Sequence, residues 1–212
     1  MVKTPHQGAS VNRGGRLRVG TLTTAFLCGL ILLVPLGGNA TADPVTESPS
    51  SAPIGPSIIA IGDSVMLGAR WVMKKNGIAI VDARKSRQAA AGPALLRKRG
   101  SKLPVNVVVH LGSNGTFTRD ACEAMITAAG PTRRVFFLTL AVPRSWEAKN
   151  NAVIRGCVAA HSGRAFIIDW HAMAAKHPKW VYSDGIHLRP AGAKGYARMI
   201  EQAVAATDSR RG

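Results

Sequence analysis

The stretch Val105-Asn-Val-Val-Val-His-Leu111 is rich in β-branched residues and has only two polar positions. A strand that is apolar on both faces is typical of a parallel sheet that helices cover on both sides. Four further apolar runs repeat this pattern, at 58–62, 78–82, 135–140 and 165–169. Segments with helical spacing alternate with these runs, at 65–75, 89–99, 120–129, 146–161 and 190–206. The alternation predicts an α/β domain of three layers (αβα), with helices on both faces of a mainly five-stranded parallel sheet.

The residues before this domain have the features of an export signal. Residues 1–18 carry four cations and no acid, an apolar run extends from Thr21 to Leu36, and Ala40-Thr-Ala42 provides a small-residue cleavage site. This order predicts a secretory signal peptide over 1–42. An uncleaved membrane anchor remains the alternative, because the apolar run is only slightly shorter than a membrane-spanning helix. In both cases we expect the protein to be secreted or held in the cell envelope, outside the cytoplasm.

A Pro/Ser-rich segment follows at 43–56, with four prolines and three serines between Pro44 and Pro56. Such a composition cannot pack a core and predicts an extended linker. We expect the folded domain to occupy 57–206 and a short tail to occupy 207–212.

The chain is strongly basic, with 28 Lys and Arg against 11 Asp and Glu and a formal net charge of +17. For an exported protein, this excess predicts contact with an anionic cell wall or membrane surface. A solvated basic surface without a specific partner is the alternative. Nucleic acid is not an expected partner, because export separates the protein from it and two Tyr and five Phe are few for base stacking.

Ligands of parallel α/β sheets bind at the carboxyl ends of the strands, so the loops at that edge are the places to look for chemistry. Three polar segments fall there: Gly62-Asp-Ser64, Gly112-Ser-Asn-Gly115, and Asp184-Gly-Ile-His187 before the last helix. Each segment alone is ordinary, since Ser after Asp is a common helix cap and Asn-Gly a common turn. Their joint occurrence at one sheet edge indicates a catalytic site.

The residue types at this edge suit nucleophilic catalysis. Ser64 lies at a strand-to-helix turn, where its own N–H and the helix terminus favour a developing oxyanion. A serine needs a base, and His187 is the candidate. Asp184, three residues earlier, is spaced to orient the His187 ring, while the Asn114 amide can offer a second N–H to the oxyanion.

Three motifs carry a family resemblance: Ile61-Gly-Asp-Ser-Val65, His110-Leu-Gly-Ser-Asn-Gly115 and Ser183-Asp-Gly-Ile-His-Leu-Arg-Pro190. They resemble blocks I, III and V of the SGNH (GDSL-type) hydrolases. The sequence over 57–206 most resembles the extracytoplasmic domain of membrane acyltransferases such as peptidoglycan O-acetyltransferases. The resemblance implies a flavodoxin-like SGNH hydrolase fold, a Ser64, Asp184 and His187 triad, an oxyanion hole from Ser64 and Asn114, and no cofactor.

Two features depart from the family pattern. Block II of the family has a Gly whose N–H completes the oxyanion hole, and Ser86 stands at the matching place here. Ser86 keeps the N–H but lacks the conformational freedom of Gly. The 212 residues also contain no membrane acyltransferase domain. We therefore expect an acyl donor to be a separate membrane protein or a soluble ester, and with water as acceptor the protein would be an esterase.

Two functions remain open at this point. The first is a serine-dependent esterase or O-acyltransferase acting as a monomer on acylated envelope carbohydrate or a small ester. The second is a non-catalytic wall- or polysaccharide-binding module on an SGNH scaffold, which the basic surface and Ser86 suggest. The intact set of Ser64, Asp184 and His187 favours the enzyme, since a decayed one would have lost a member.

Other candidate residues have simpler readings. Arg144 and Trp146 could line a substrate groove, although packing explains them equally well. His110 is expected to be a core histidine. His161, His171 and His177 lack ligand-like spacing with Cys or carboxylates, so we expect no metal site. Cys122 and Cys157 are the cysteines that follow the signal segment, and an even pair in an exported domain predicts a disulfide. It would close a loop of about 35 residues and add roughly 3 kcal/mol of stability.

Overall fold

A computed structural model describes residues 58–208 of the chain. The predicted signal peptide over 1–42 and the linker over 43–56 lie outside the described residues. The described strands are β1 (Ile58–Gly62), β2 (Ile80–Ala83), β3 (Asn106–His110), β4 (Arg134–Leu138) and β5 (Ala165–Ile168). They form one parallel sheet in the order β2-β1-β3-β4-β5. This order is that of flavodoxin-like sheets, and the predicted five-stranded parallel α/β fold is confirmed.

Six α-helices cover the two faces of the sheet in the described part of the chain. They are α1 (Ser64–Lys75), α2 (Gly92–Arg99), α3 (Arg119–Ala129), α4 (Glu147–Ala160), α5 (Trp170–Lys176) and α6 (Pro190–Asp208). None of these helices is long and apolar enough to cross a membrane.

Successive side chains of the central strands pack alternately into two separate cores. Val107 and Val109 of β3 pack into the core under α2, α3 and α4, while Val108 between them packs into the core under α1, α5 and α6. Successive side chains of a strand point to opposite faces. A strand buried on both sides therefore needs apolar residues at consecutive positions, which is the pattern seen in the sequence.

The second strand begins later than the sequence predicts, at Ile80 instead of Ile78. Ile78 instead closes α1: its N–H donates to the Met73 carbonyl at 3.0 Å, and Gly77 before it has a φ of 96°. A left-handed residue followed by this hydrogen bond is a common way to end a helix. The apolar character of Ile78 therefore serves helix termination and burial, not strand pairing.

Helix α5 is not among the predicted elements. The Asp169 carboxylate accepts a hydrogen bond from the Ala172 N–H at 3.2 Å and so caps its first turn. Asp169 directly follows the last residue of β5 and is the N-cap of this helix. The segment has only seven residues, too few for a periodic signal to stand out in the sequence.

The disulfide predicted between Cys122 and Cys157 is present and joins α3 to α4, with Cα atoms 6.5 Å apart. Both cysteines are buried in the core that these helices share with the sheet. The bond therefore fixes one helical layer of the domain.

Candidate active site

A cavity of about 500 Å³ opens at the carboxyl edge of the sheet. It lies beside the first two turns of α1, and residues of three further loops complete its lining. Its lining residues are Ser64, Leu67, Gly68, Lys85, Ser86, Asn114 and His187. Four residues that the sequence analysis assigned to chemistry, Ser64, Ser86, Asn114 and His187, thus line one cavity.

Asp63 fixes the two loops on which the proposed oxyanion donors lie. It is fully buried, and one carboxylate oxygen accepts from the Val65 N–H at 3.0 Å, which caps α1. The other oxygen accepts from the Ser113 N–H at 3.2 Å. One carboxylate therefore holds the turn that carries Ser64 and the loop that carries Asn114 in a single arrangement.

A chain of hydrogen bonds connects Ser64 to the loop before α6. Ser64 Oγ lies 3.2 Å from Nε2 of His187, and Nδ1 of His187 lies 2.7 Å from Oδ2 of Asp184. The other oxygen of Asp184 accepts from the N–H groups of Ile186 at 2.8 Å and of His187 at 3.0 Å. The carboxylate thus holds both the ring and the backbone of the histidine.

The electrostatics of this pair follow from those contacts. Burial alone would raise the pKa of Asp184, but the His187 ring and two backbone N–H groups outweigh it and lower the pKa to about 2. Asp184 is therefore charged at every pH at which the protein would work. A charged carboxylate favours the tautomer with the proton on Nδ1, which leaves the Nε2 lone pair free to accept the Ser64 hydroxyl proton.

The side chains of His187 and Asp184 are 49% and 45% exposed. Within residues 58–208 the site is thus open to solvent.

Ser86, the residue at the place of the family's glycine, has a φ of 56° and lines the cavity. No other described non-glycine residue has a positive φ. The backbone therefore adopts the left-handed conformation that glycine would favour, at a cost on the order of 1 kcal/mol for serine. The serine side chain does not prevent the conformation that the block II position requires.

Asn114 lies on the loop after β3. Its Nδ2 donates a long hydrogen bond of 3.4 Å to the Arg87 carbonyl, and its own carbonyl accepts from Nε2 of Gln88 at 3.1 Å. An amide nitrogen carries two N–H groups, so one remains for a ligand in the cavity. The contacts with Arg87 and Gln88 keep the side chain beside Ser86.

Arg87 is a supporting residue that the sequence analysis missed, since it was counted with the basic surface. Its partly buried guanidinium donates to the Gly62 carbonyl at 3.1 Å, to the Asp82 carbonyl, and to the Asp82 carboxylate at 2.8 Å. Burial would raise the pKa of Asp82, but hydrogen bonds from Arg87 and Arg99 lower it below its usual value. Arg87 thereby ties the end of β1, just before Ser64, to the Ser86 loop.

His110 lies in the interior and not at the cavity. It is fully buried, with Nδ1 2.7 Å from the Tyr196 hydroxyl. Burial lowers the pKa of His110, and the nearby Asp63 opposes that effect only in part. The location matches the expected core histidine.

Arg144 and Trp146 do not line the cavity. Arg144 is exposed and donates to the Pro143 carbonyl at 3.2 Å, and Trp146 is half-buried just before α4. The substrate groove suggested for them stays a prediction.

Among the described residues, Glu123, Cys157 and His161 lie close enough together to suggest metal ligands, but the Cys157 sulfur is already bonded to Cys122.

Comparison with curated proteins finds bacterial acetyltransferases. The chain is 33% identical over 150 residues to YrhL of Bacillus subtilis, provisionally named a peptidoglycan O-acetyltransferase, and the match covers 69% of this chain and 23% of that protein. It is 32% identical over 148 residues to the O-acetyltransferase OatA of Staphylococcus aureus, covering 68% and 24%. The chain thus spans about a quarter of the length of these relatives. No protein-family model matches it.

Solved structures share the fold. The C-terminal catalytic domain of Streptococcus pneumoniae peptidoglycan O-acetyltransferase A superposes with a TM-score of 0.65 at 24% identity, covering 74% of this chain and 96% of that one. A member of the lipolytic G-D-S-L family from Veillonella parvula gives a TM-score of 0.54 at 12% identity, covering 68% and 96%. The described domain therefore has the SGNH (GDSL-type) hydrolase fold, and its sequence relatives include bacterial peptidoglycan O-acetyltransferases.

Proposed function

We propose that the domain is a serine-dependent acyl-ester enzyme, an esterase or O-acyltransferase, with Ser64 as nucleophile, His187 as base and Asp184 as the residue that orients the base. The observation that carries this proposal is the hydrogen-bonded series from Ser64 Oγ through both nitrogens of His187 to Asp184. It lies in a cavity that also contains the Asn114 and Ser86 loops.

The reaction has two steps, acylation of Ser64 and transfer of the acyl group to an acceptor. Nε2 of His187 takes the Ser64 proton as Oγ attacks the acyl carbonyl, and the developing oxyanion receives hydrogen bonds from the Ser64 N–H, the Asn114 amide and the Ser86 N–H. The carbon–oxygen bond to the leaving alcohol breaks as His187 donates the proton to that alcohol. An acyl-Ser64 ester remains. An acceptor hydroxyl, from water or a sugar, then gives its proton to His187 as it attacks the acyl carbon. The bond from that carbon to Oγ breaks, and His187 returns the proton to Ser64.

The name of the relative YrhL, which refers to peptidoglycan O-acetylation, supports the choice of substrate class. We take an acetylated, or acetyl-accepting, glycan of the cell envelope as the substrate. Lys85 lines the cavity, and its charge suits a glycan that carries carboxylates. In this proposal the signal at 1–42 exports the domain, a separate membrane protein or a small ester supplies the acyl group, and the basic surface holds the monomer near the anionic wall.

The test is covalent labelling combined with turnover. The 212-residue protein is treated with a serine-directed sulfonyl fluoride and analysed by peptide mass spectrometry, and p-nitrophenyl acetate hydrolysis is followed in parallel. We expect label on Ser64 and loss of turnover in Ser64→Ala. Ser101→Ala is the matched control, because Ser101 is exposed and the Arg133 guanidinium bonds its backbone carbonyl, which the substitution keeps.

Turnover in Ser64→Ala equal to the parent would disprove the assignment of the nucleophile. A folded parent protein that neither takes the label nor hydrolyses the ester would favour the non-catalytic binding module.

A further inference from the structure

Helix α1 carries a large aromatic side chain in an unusual place. Trp71 is 73% exposed, the highest value among the large hydrophobic residues of the described chain. The Lys75 ammonium lies 5.4 Å from the centre of its ring, and Arg70 and Lys74 beside it are exposed as well. A single exposed apolar residue is ordinary, but an indole flanked by cations presents a flat, amphipathic face to a ligand.

Trp71 lies on the same stripe of α1 as the proposed nucleophile. Residues three, four and seven positions apart share one side of a helix, which places Leu67, Gly68 and Trp71 in line with Ser64. Leu67 and Gly68 already line the cavity. Trp71 therefore stands one turn beyond the cavity wall, about 10 Å from Ser64 along the helix axis.

Gly68 provides an independent observation. Glycine in a helix is less stable than alanine, so a helical glycine calls for a structural reason. Packing does not supply one here: Gly68 is exposed, and a Cβ at this position would meet only the Leu188 Cβ, at 3.7 Å. What the missing side chain does provide is an unobstructed surface between the cavity and Trp71.

We propose that Leu67, Gly68 and Trp71 form a glycan subsite, the α1 platform, on which the substrate chain continues outward from the acyl-bearing sugar at Ser64. The inference rests on the proposed function and adds that the substrate is an extended glycan instead of a single sugar or small ester. The next sugar crosses Gly68, and its apolar face stacks on the Trp71 indole.

The features of the platform fit a glycan chain. The spacing of about 10 Å between Ser64 and Trp71 is comparable to the length of a disaccharide. A single amphipathic ring flanked by charged side chains suits a ligand with one apolar face and many hydroxyls. The cations Arg70, Lys74 and Lys75 additionally favour a chain that carries carboxylates. The platform is also continuous with the cavity, so one ligand can occupy both.

The first test compares substrates of different length. We measure kcat/KM for p-nitrophenyl acetate and for soluble, O-acetylated glycan fragments of peptidoglycan, using the parent protein, Trp71→Ala and Gly68→Leu. The ratio of the glycan value to the small-ester value should fall by about 3- to 10-fold in Trp71→Ala, the scale of one aromatic stacking contact. It should fall in Gly68→Leu as well, because the new side chain obstructs the surface.

Val105→Ala is the matched control, since Val105 is also an exposed apolar residue but precedes β3, at the opposite edge of the sheet. The ratio should not change in this variant. An unchanged ratio in Trp71→Ala, with the parent protein active on both substrates, would overturn the platform and leave the proposed function intact.

The second test does not need turnover. In the Ser64→Ala protein, acrylamide quenching of Trp fluorescence is measured with and without non-acetylated glycan fragments, and the signal of Trp71 is the difference from a Ser64→Ala/Trp71→Phe protein. The glycan should protect Trp71 from quenching. Protection in a protein whose parent shows no ester turnover would support the platform and contradict the enzyme. Absence of protection at saturating glycan would contradict the platform.

Discussion

Two of the histidines that lie near a carboxylate, His187 and His110, have opposite surroundings in the domain. His187 is half exposed and bonds Asp184 and Ser64 through its two ring nitrogens. His110 is fully buried behind the same sheet edge and bonds the Tyr196 hydroxyl. Asp63, the carboxylate that acts on His110 electrostatically, instead accepts hydrogen bonds from the backbone N–H groups of Val65 and Ser113.

The two regions differ in what the carboxylate bonds. Asp184 bonds the ring of His187 and aims its free nitrogen at a hydroxyl in a cavity, which is the arrangement of a general base. Asp63 has both oxygens engaged by the backbone and stabilises two loops. The same two residue types thus give a proposed reaction centre in one region and a structural support in the other.

The strongest test of this contrast removes each histidine in turn. His187→Ala should lower kcat for p-nitrophenyl acetate by about 10⁴-fold or more, the scale for disabling a triad base. His110→Gln, which can still bond Tyr196, should leave kcat within about one order of magnitude at temperatures where the variant is folded. Steady-state kinetics with circular dichroism as the folding check would measure both.

Parent-like turnover in His187→Ala together with lost turnover in folded His110→Gln would reverse the two roles.

A second prediction concerns the loop that Asp63 supports. Asn114→Ala should lower kcat by roughly 10²–10³, the scale for one lost oxyanion donor. KM should change less, because the donor acts on charge that is present mainly in the transition state. Gln88→Ala, which removes a contact to the Asn114 backbone and not the donor itself, is the comparison variant and should lose less. A change confined to KM in Asn114→Ala would contradict the oxyanion role.

The third prediction moves to the helical layer away from the cavity. Replacing Cys122 and Cys157 together by Ala should lower the free energy of unfolding by about 3 kcal/mol, because the disulfide restricts a long loop in the unfolded chain. Denaturant titration would measure it, and kcat should stay close to that of the parent. A large loss of kcat in the folded double variant would show that the α3–α4 layer positions the site.

The smallest expected effect is the pH dependence that His110 gives to stability. Its pKa is lower in the folded protein than in the unfolded chain, so the unfolded chain binds the extra proton first as the pH falls. The stability that His110 contributes is complete above about pH 6.5 and is lost progressively below it. The carboxylates with lowered pKa values lose their contribution only at lower pH. Melting temperatures between pH 8 and pH 5 should therefore fall less steeply in His110→Gln than in the parent, and equal slopes would contradict this account.

Much of the architecture could be predicted because burial of a strand limits which residue types its sequence can contain. A strand such as Val105–Leu111 that is covered on both faces must be apolar at consecutive positions, and this pattern locates all five strands within a few residues. The loops with Ser64, Asn114 and His187 could be found as well, since the edge of a parallel sheet gathers them.

The residues that escaped prediction are those whose surroundings come from distant parts of the chain. Arg87 looks like its exposed neighbour Lys85 in sequence, yet tertiary contacts with Gly62 and Asp82 bury most of its side chain. Ile78 is a different case, because its apolar side chain was taken as a strand signal although Gly77 and the hydrogen bond to Met73 end α1 locally.

Because the His187–Asp184 pair is exposed, water and a sugar hydroxyl would compete for any acyl group carried on Ser64. Water reaches the same histidine that would activate a sugar hydroxyl, so the intermediate is partitioned between hydrolysis and transfer by the relative local concentrations of the two acceptors. A glycan held on the α1 platform would raise its own local concentration without excluding solvent. Whether such a domain behaves as an esterase or a transferase is then a kinetic property of its surroundings, with the same residues serving both outcomes.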